Sequence, residues 1–370
     1  MNVLSKFYSL FSHDIGIDLG TANTLVFVKG KGIAIREPSI VARHKKTKKI
    51  IAIGSEAKKM LGKTPASIVT VRPLRGGVIA DFDATEAMIR HYIKQVHEMG
   101  SALPQLLAKP KVVIGIPSAV TEVERRAVWE AALSAGAREA YLIEEPMAAA
   151  IGEDISVFQS KGVMVVDIGG GTSEIAVISL GGIVVGRSIK LAGDDMDEGI
   201  LHYIRLRHGL LIGERTSEDI KIKIGSAYQQ RAKSKEQKAK LAEEGIEEEK
   251  GEKMIIVRGR DIETGLPRSL RISEAEIREA LSPILTQIIQ AIADVLEETP
   301  PELLPDILEQ GILLTGGGAL LSGLDQLIVE RVHLPVVVSE DSLTSVVRGT
   351  GKVLENEDIL EKVKVIGGLK

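Results

Sequence analysis

Apolar residues in this chain come in short bursts that alternate with polar positions or break against glycine and proline. IGIDL, TLVFV, IAIRE, KVVIGIP, VMVVDI, SEIAVISL, GIVVG, GILLTG and PVVVS all have this form. Runs of about four to eight residues bounded by turn formers read as strands. Helical patterns fill the intervals. The clearest is TEVERRAVWEAALSAG, where Thr121 stands as N-cap, Glu124 completes a capping box and Gly136 closes the C-terminal end. Strands alternating with helices predict an α/β fold.

The pattern also repeats. IGIDLGTANTLVFVKGKGI (15–33) and MVVDIGGGTSEIAVISLGGI (164–183) share one outline. Each has a strand ending in Asp-apolar-Gly, a turn of small polar residues, a second strand, and paired glycines before Ile. A hairpin repeated after about 150 residues implies two related lobes. The boundary falls near Ser156–Gly162, just ahead of the second copy. This divides the chain into an N-terminal segment 1–12, a first lobe 13–155, a second lobe 156–354 and a tail 355–370.

Composition changes this picture in four places. A chain of 370 residues exceeds one ordinary core, which agrees with two lobes. There is no cysteine, so disulfides and thiolate metal sites are excluded and a reducing cytosol is expected. A net charge of −4 supplies no general surface for nucleic acid. His91 and His97, six apart, do not share a helix face, so no histidine metal site is expected there. One stretch departs from the rest. QQRAKSKEQKAKLAEEGIEEEKGEK (229–253) is almost wholly charged or small, basic first and acidic second. It reads as an exposed helical or mobile insertion in a surface loop of the second lobe.

The glycines carry the candidate chemistry. A Gly-rich turn between strands lets backbone N–H groups point at an anion with no side chain in the way. Gly169, Gly170 and Gly171, followed by Thr172 and Ser173, suit phosphate oxygens, and Gly20–Thr21–Ala22–Asn23 offers the same from the other lobe. Neither matches the P-loop or the Rossmann fingerprint. Either turn alone is equally readable as an ordinary tight β-turn; the pair points to a polyphosphate gripped from both sides. Asp18 and Asp167 begin the two turns and would repel bare phosphate, which makes sense with Mg²⁺ between. A third cluster, LLTGGGALLSGL, places Gly316, Gly317 and Gly318 between a strand and a helix, where backbone approaches a base or an α-phosphate.

The N-terminus has its own pattern. In MNVLSKFYSLFS, Val3, Leu4, Phe7, Tyr8, Leu10 and Phe11 fall on one helix face, with Ser5, Lys6, Ser9 and Ser12 opposite. It is no secretion signal, because Ser5, Lys6 and Ser9 interrupt the apolar run. A segment this short needs an external apolar partner to stay helical. A lipid interface supplies one, and so would the protein's own surface. No apolar run in the sequence approaches the roughly 20 residues that span a bilayer.

Taken together, these strings resemble the actin/Hsp70/sugar-kinase superfamily, and within it the MreB/Mbl family of bacterial actin homologues. DLGTANTLVFVKGKGI, RPLRGGVIADF, IEEPMAAAIG, VVDIGGGTSEIAVISLGGI, GDDMD, RGRDIETGLPRSL, TPPELLPDI and LTGGGALL carry the likeness from Asp14 to about Leu354. The resemblance implies an actin-like ATPase fold of two pseudo-symmetric lobes, each with two subdomains, around a cleft for ATP and Mg²⁺. Thr21, Ala22 and Asn23 match the family's first phosphate loop, and Gly170, Gly171 and Thr172 the second. Glu218, Asp219, Ile220 and Lys221 match the segment reaching ribose and base, with Glu218 and Lys221 on one helix face. Gly316, Gly317, Gly318 and Ala319 match the adenosine loop, while Asp18 and Asp167 fall where the family holds the metal. Glu145 and Thr172 match its water-positioning pair. The residues alone do not separate Glu145 from Glu144; the family register selects Glu145.

By the same resemblance the protein is expected to hydrolyse ATP, to form homopolymeric filaments with paired protofilaments, and to lie peripherally on the cytoplasmic face of the cell membrane. There it would organise wall synthesis and rod shape with membrane-bound elongation proteins. Leu103, Leu106 and Leu107 lie where the family has a membrane-inserting loop, though as residues they are equally readable as core. The insertion 229–253 departs from the family pattern and puts lateral contacts on that lobe in question. A small-molecule kinase of the same superfamily is the alternative, but no second substrate pocket with its own Asp base is visible. An Hsp70-like chaperone would need a peptide-binding domain after the ATPase.

Overall fold

The computed structural model describes residues 12–98, 109–229, 247–249 and 252–365. The first half of the chain forms β1 (Ile15–Leu19), β2 (Asn23–Val28), β3 (Gly32–Pro38), β4 (Val41–His44), β5 (Ile50–Ile53) and α1 (Ser55–Met60). Then come β6 (Ile68–Val71), β7 (Leu74–Arg75), β8 (Val78–Ile79), α2 (Phe82–Glu98), β9 (Lys111–Ile116), α3 (Glu122–Ser134), β10 (Glu139–Glu144) and α4 (Glu145–Gly152). The second half forms β11 (Val163–Ile168), β12 (Ser173–Ser179), β13 (Gly182–Ile189), α5 (Gly193–His208), β14 (Leu210–Leu211), α6 (Glu214–Ile224), β15 (Glu247–Glu249), β16 (Glu252–Asp261) and β17 (Pro267–Ser273). It ends with α7 (Glu274–Glu298), α8 (Leu304–Gln310), β18 (Ile312–Thr315), α9 (Leu324–Val332), β19 (Val336–Val338), α10 (Ser345–Glu355) and α11 (Glu357–Val363).

The sequence repeat is a structural repeat. One sheet runs β10-β9-β1-β2-β3 and the other β19-β18-β11-β12-β13, the same order at matching positions. In each, an antiparallel hairpin has its first strand paired in parallel with a neighbour, so Asp18 lies opposite Leu25 and Gly115, and Asp167 opposite Glu174 and Thr315. Each lobe adds a smaller sheet, β5-β4-β6 in the first and β14-β16-β15 with β17 in the second. Every residue of β11 and β12 is buried, as expected of strands covered on both faces. The predicted capping box is present at α3, with Thr121 and Glu124 bonding reciprocally.

Two expectations change here. The charged insertion was read as a surface loop or helix, yet Glu247–Glu249 is a strand paired antiparallel with Glu252–Met254. Backbone pairing onto an existing sheet satisfies N–H and C=O groups whatever the side-chain charge. Second, α7 is by length and composition apolar enough to cross a membrane, although no such run was read from the sequence. Its Ile277, Leu281, Leu285, Ile288, Ile292 and Val295 are buried in the second lobe's core, while Ser282, Gln287 and Gln290 face out. This is the stripe of a core helix.

α4 and α10 meet between the two main sheets. Their small residues interlock at spacing four: a Cβ on Gly152 would stand 1.9 Å from the Ser345 carbonyl, and one on Gly349 would stand 1.8 Å from that of Ala148. α10 also lies on β1, where Gly16 leaves room for Thr350. By packing, therefore, the chain from Ser345 returns to the first lobe's sheet, whereas the linear division runs the second lobe to residue 354. α11 buries Leu360 and Val363 in the same junction, and Val365 bridges to Leu142 on β10. Glu153, just past α4, accepts hydrogen bonds from Ser339 Oγ (2.7 Å) and Ser345 Oγ (2.6 Å) and pairs with Arg348. It ties together the two places where the chain passes between the lobes.

Candidate functional site

The two repeated turns face each other. The second is closed by a hydrogen bond from Gly169 N–H to the Thr172 carbonyl (2.9 Å). A Cβ on Gly170 would come within 2.5 Å of Ala22 Cβ, and one on Gly171 within 2.6 Å of Thr21 Oγ1. The opposite lobe therefore requires glycine at 170 and 171, while at Gly169 the nearest atom is the Thr172 carbonyl oxygen of its own turn, at 3.2 Å. The first turn is held by Gly77 N–H donating to Thr21 Oγ1 (3.0 Å), and a Cβ on Gly77 would meet Pro117 and Thr172.

Between the turns opens a cavity of about 520 Å³. At one end it is lined by Asp18, Thr21, Ala22, Asn23, Glu145, Asp167, Gly170, Gly171 and Thr172, and elsewhere by Glu218, Lys221, Gly316, Gly317 and Gly318. Asp18 and Gly318, 300 residues apart in sequence, thus share one surface. Three predicted positions are not on it. Ile220 and Ala319 are buried in the second lobe's core, and Asp219 is exposed. Helical spacing explains the first helix: Glu218, Lys221, Ile222 and Gly225 line the cavity as one stripe of α6 and its C-cap, and intervening positions point elsewhere. Ala319 sits in a short 3₁₀ turn, Gly317–Leu320, that directs its methyl group inward.

Electrostatics mark the carboxylates beside the two turns. Burial pushes Asp18 up to about 7, with the Asp167 carboxylate adding to it. Burial likewise raises Asp167 to about 6, against a hydrogen bond from Thr315 Oγ1 (2.9 Å) that favours its charge. Glu145, the first residue of α4, is raised well above the carboxylate range by burial and then by Glu174, Asp18 and Asp167. Glu144 is also raised by burial, but Arg125 opposes the shift and it lies off the cavity. Glu144 makes no side-chain cap to α4. Among the described residues no three His, Cys, Asp or Glu form a metal cage. Two facing carboxylates and open space fit a Mg²⁺ that keeps waters and takes phosphate oxygens.

Several contributors escaped the sequence reading. The N-terminus of α5 braces the second turn, with Gly193 N–H bonded to the Gly169 carbonyl (3.1 Å) and Asp194 N–H to that of Gly170 (2.7 Å). Lys221 Nζ donates to the Gly193 carbonyl (2.6 Å) and pairs with Asp197 (2.9 Å). The string GDDMD was visible, but nothing in it announces contact with a turn some 25 residues away. Glu174 is fully buried and accepts from Ser118 N–H (2.9 Å) and Ser118 Oγ (2.6 Å) across the lobes, and from Ser188 Oγ. An acidic residue inside an apolar strand, SEIAVIS, was its signal. Two further ion pairs join the lobes at the cavity's rim, Lys58 with Glu218 (2.8 Å) and Arg72 with Asp194 (3.2 Å).

A cleft of this kind, between duplicated lobes, occurs across a superfamily, so similarity to known proteins decides the family. The MreB/Mbl protein family model matches residues 12–362. The chain belongs to the MreB/Mbl family. It is 49% identical to the cell shape-determining protein Mbl of Bacillus subtilis, over 96% of this chain and 100% of that one. With the cell shape-determining protein MreB of Escherichia coli K12 it shares 50%, over 96% and 97%. Among solved structures, MreB5 of Spiroplasma citri bound to ADP superposes with a TM-score of 0.83 at 38% identity, covering 95% of this chain and 98% of that one. The same protein bound to AMPPNP matches equally. The MamK double helical filament, at 21% identity and a TM-score of 0.74, shares the fold. The fold of this MreB/Mbl chain is accordingly the actin-like one. Its membership favours the cytoskeletal reading over the small-molecule-kinase alternative.

Proposed function

We propose that this chain is an ATP-binding, ATP-hydrolysing filament protein that works on the cytoplasmic face of the membrane and shapes the cell. The observation that carries the proposal is the pair of glycine turns closing from opposite lobes on one cavity with buried carboxylates at its floor. Structures of a 38% identical relative bound to ADP and AMPPNP support a nucleotide there.

In this reading the backbone N–H groups of the turns at Thr21–Asn23 and Gly170–Thr172 hold the β- and γ-phosphates. Glu218 and Lys221 reach the ribose and base, and Gly316–Gly318 let backbone approach the adenosine. Asp18 and Asp167 would hold Mg²⁺, which when bound offsets the phosphate charge. Glu145 orients the attacking water and takes its proton. Burial, with the neighbouring carboxylates, raises the proton affinity of Glu145, which makes its ionised form the stronger base. The Thr172 hydroxyl gives the water a second anchor.

Attachment to the membrane is assigned to the face where two apolar segments emerge. Val3, Leu4, Phe7, Tyr8, Leu10 and Phe11, and likewise Leu103, Leu106 and Leu107, lie outside the described residues. Their roots do not: Ser12 Oγ donates to the Lys109 carbonyl (3.1 Å), and Arg138 bonds Asp14 (2.8 Å) and the same carbonyl (2.9 Å). Ser12 and Lys109, which flank the two segments in sequence, thus meet at one corner of the first lobe, which supports a shared surface for attachment. Self-assembly is supported by the filament of the MamK homologue; paired protofilaments and wall-elongation partners follow from the family resemblance. Electron microscopy of purified protein with ATP and Mg²⁺, alongside phosphate release, tests the whole. Filaments and turnover are expected, and the absence of both with folded protein overturns it.

A further inference from the structure

β16 carries a position that breaks its own pattern. Along its inner face Ile255 and Val257 pack on the second lobe's core, opposite Ile272 and Leu270 of β17. Period two puts Lys253 on that same face, one step nearer the cleft. There it lines the nucleotide-sized cavity beside Ile222 and Glu218 of α6. Among the described residues no hydrogen bond or ion pair engages its ammonium group. Its register partner on β15 is Glu248. An inward-facing lysine at the cavity wall is a donor aimed at whatever fills the cavity.

The neighbours say which part of a ligand it meets. The carboxylates and the two glycine turns gather at one end. Lys253 shares the cavity lining with Ile222, Gly225, Leu321 and Ser322, next to α6, whose Glu218 and Lys221 are assigned above to the ribose and base. We infer that Lys253 is a nucleotide-binding residue that hydrogen-bonds the nucleoside end, at a ribose hydroxyl or a base acceptor. It belongs to the charged stretch 229–253, so that stretch contributes a residue to the site rather than only decorating the surface. The inference rests on the proposed nucleotide site.

The test is calorimetric titration of ATP and ADP, each with Mg²⁺, into the native protein, Lys253→Met and Lys253→Arg. Methionine keeps the length and removes the charge. A charge-assisted hydrogen bond at a partly exposed site is expected to be worth about five- to tenfold in Kd. Lys253→Met should weaken ATP and ADP by the same factor, Lys253→Arg should bind within about twofold of native, and the ligand-free melting temperature should not move. Equal affinity of Lys253→Met and native protein overturns the inference. A loss much larger for ATP than for ADP overturns the nucleoside placement in favour of the phosphates. Lower melting with unchanged affinity overturns it too, assigning the lysine a structural role. If the native protein binds neither nucleotide, the proposed site itself fails.

Discussion

Replacing Gly349 by alanine asks how closely α4 and α10 must approach. An isolated helix would welcome the change by about 1 kcal/mol, because alanine is the better helix former. Here the new Cβ would sit 1.8 Å from the Ala148 carbonyl oxygen, with the Ala148 carbonyl carbon at 2.5 Å. Ordinary contact begins at 3.4 Å, so the helices must separate by 3.4 − 1.8 = 1.6 Å, and backbone cannot swing aside as a side chain would. Overpacking of this kind costs roughly 1–3 kcal/mol and sometimes more. With backbone on the opposing side the upper part of that range applies, leaving a net loss of about 2 kcal/mol. The damage also travels. Glu145 starts α4, three residues before Ala148, and a shift of about 1 Å in a positioning group is enough to cost roughly a hundredfold in rate. Urea denaturation and phosphate release on Gly349→Ala and on Gly182→Ala provide the measurement. Gly182 has no atom within 4 Å of its would-be Cβ and no positive φ, so its variant should match native stability within about 0.5 kcal/mol. If Gly349→Ala is as stable as native, the close crossing is not a constraint and the argument fails.

Three further outcomes are expected. Glu145→Gln should keep ATP affinity within about twofold and slow phosphate release about a hundredfold, and unchanged turnover removes the residue from its role. Asp18, raised to about 7, holds a proton in the folded state that the unfolded chain releases near 3.8. Its stabilisation is complete below about pH 4 and is lost as pH rises through 7, so metal-free protein should melt lower at about pH 8 than at about pH 5.5. Asp18→Asn should flatten that slope and weaken the dependence of nucleotide binding on Mg²⁺; an unaltered slope means the carboxylate is not enclosed. Removing residues 1–12 should abolish pelleting with liposomes while filaments still form, and undiminished pelleting would shift attachment to another part of the chain.

Much of this was legible because local chemistry and tertiary role coincide at the glycine turns. Asp18 and Asp167 each precede a turn that only small residues can make, and the repeat of that grammar disclosed two lobes before any strand was seen. The order of the two sheets was not legible there, because β9, β10, β18 and β19 lie outside the repeated stretches. What stayed hidden was non-local. That Gly349 lies on Ala148, 201 residues earlier, depends on how two sheets dock, and no periodicity inside α10 reports it. The run Glu218–Lys221 was read as a block, yet a helix shows only some of its residues to one side, and Ile220 went to the core. Lys253 looked like the end of a solvated charge run, and only pairing with β17 reveals which face it occupies.

The knot at Glu153 has a mechanical consequence. Ser339, Ser345 and Arg348 on the returning chain all converge on a carboxylate that sits on the outgoing chain. A charged clasp where the chain passes between the lobes favours rotation about that point over sliding past it. The ion pairs Lys58–Glu218 and Arg72–Asp194 also bridge the lobes, so such a rotation would have to stretch or break them. Trading a three-phosphate occupant for a two-phosphate one would then be broadcast outward as a change of gape, magnified with distance from the pivot.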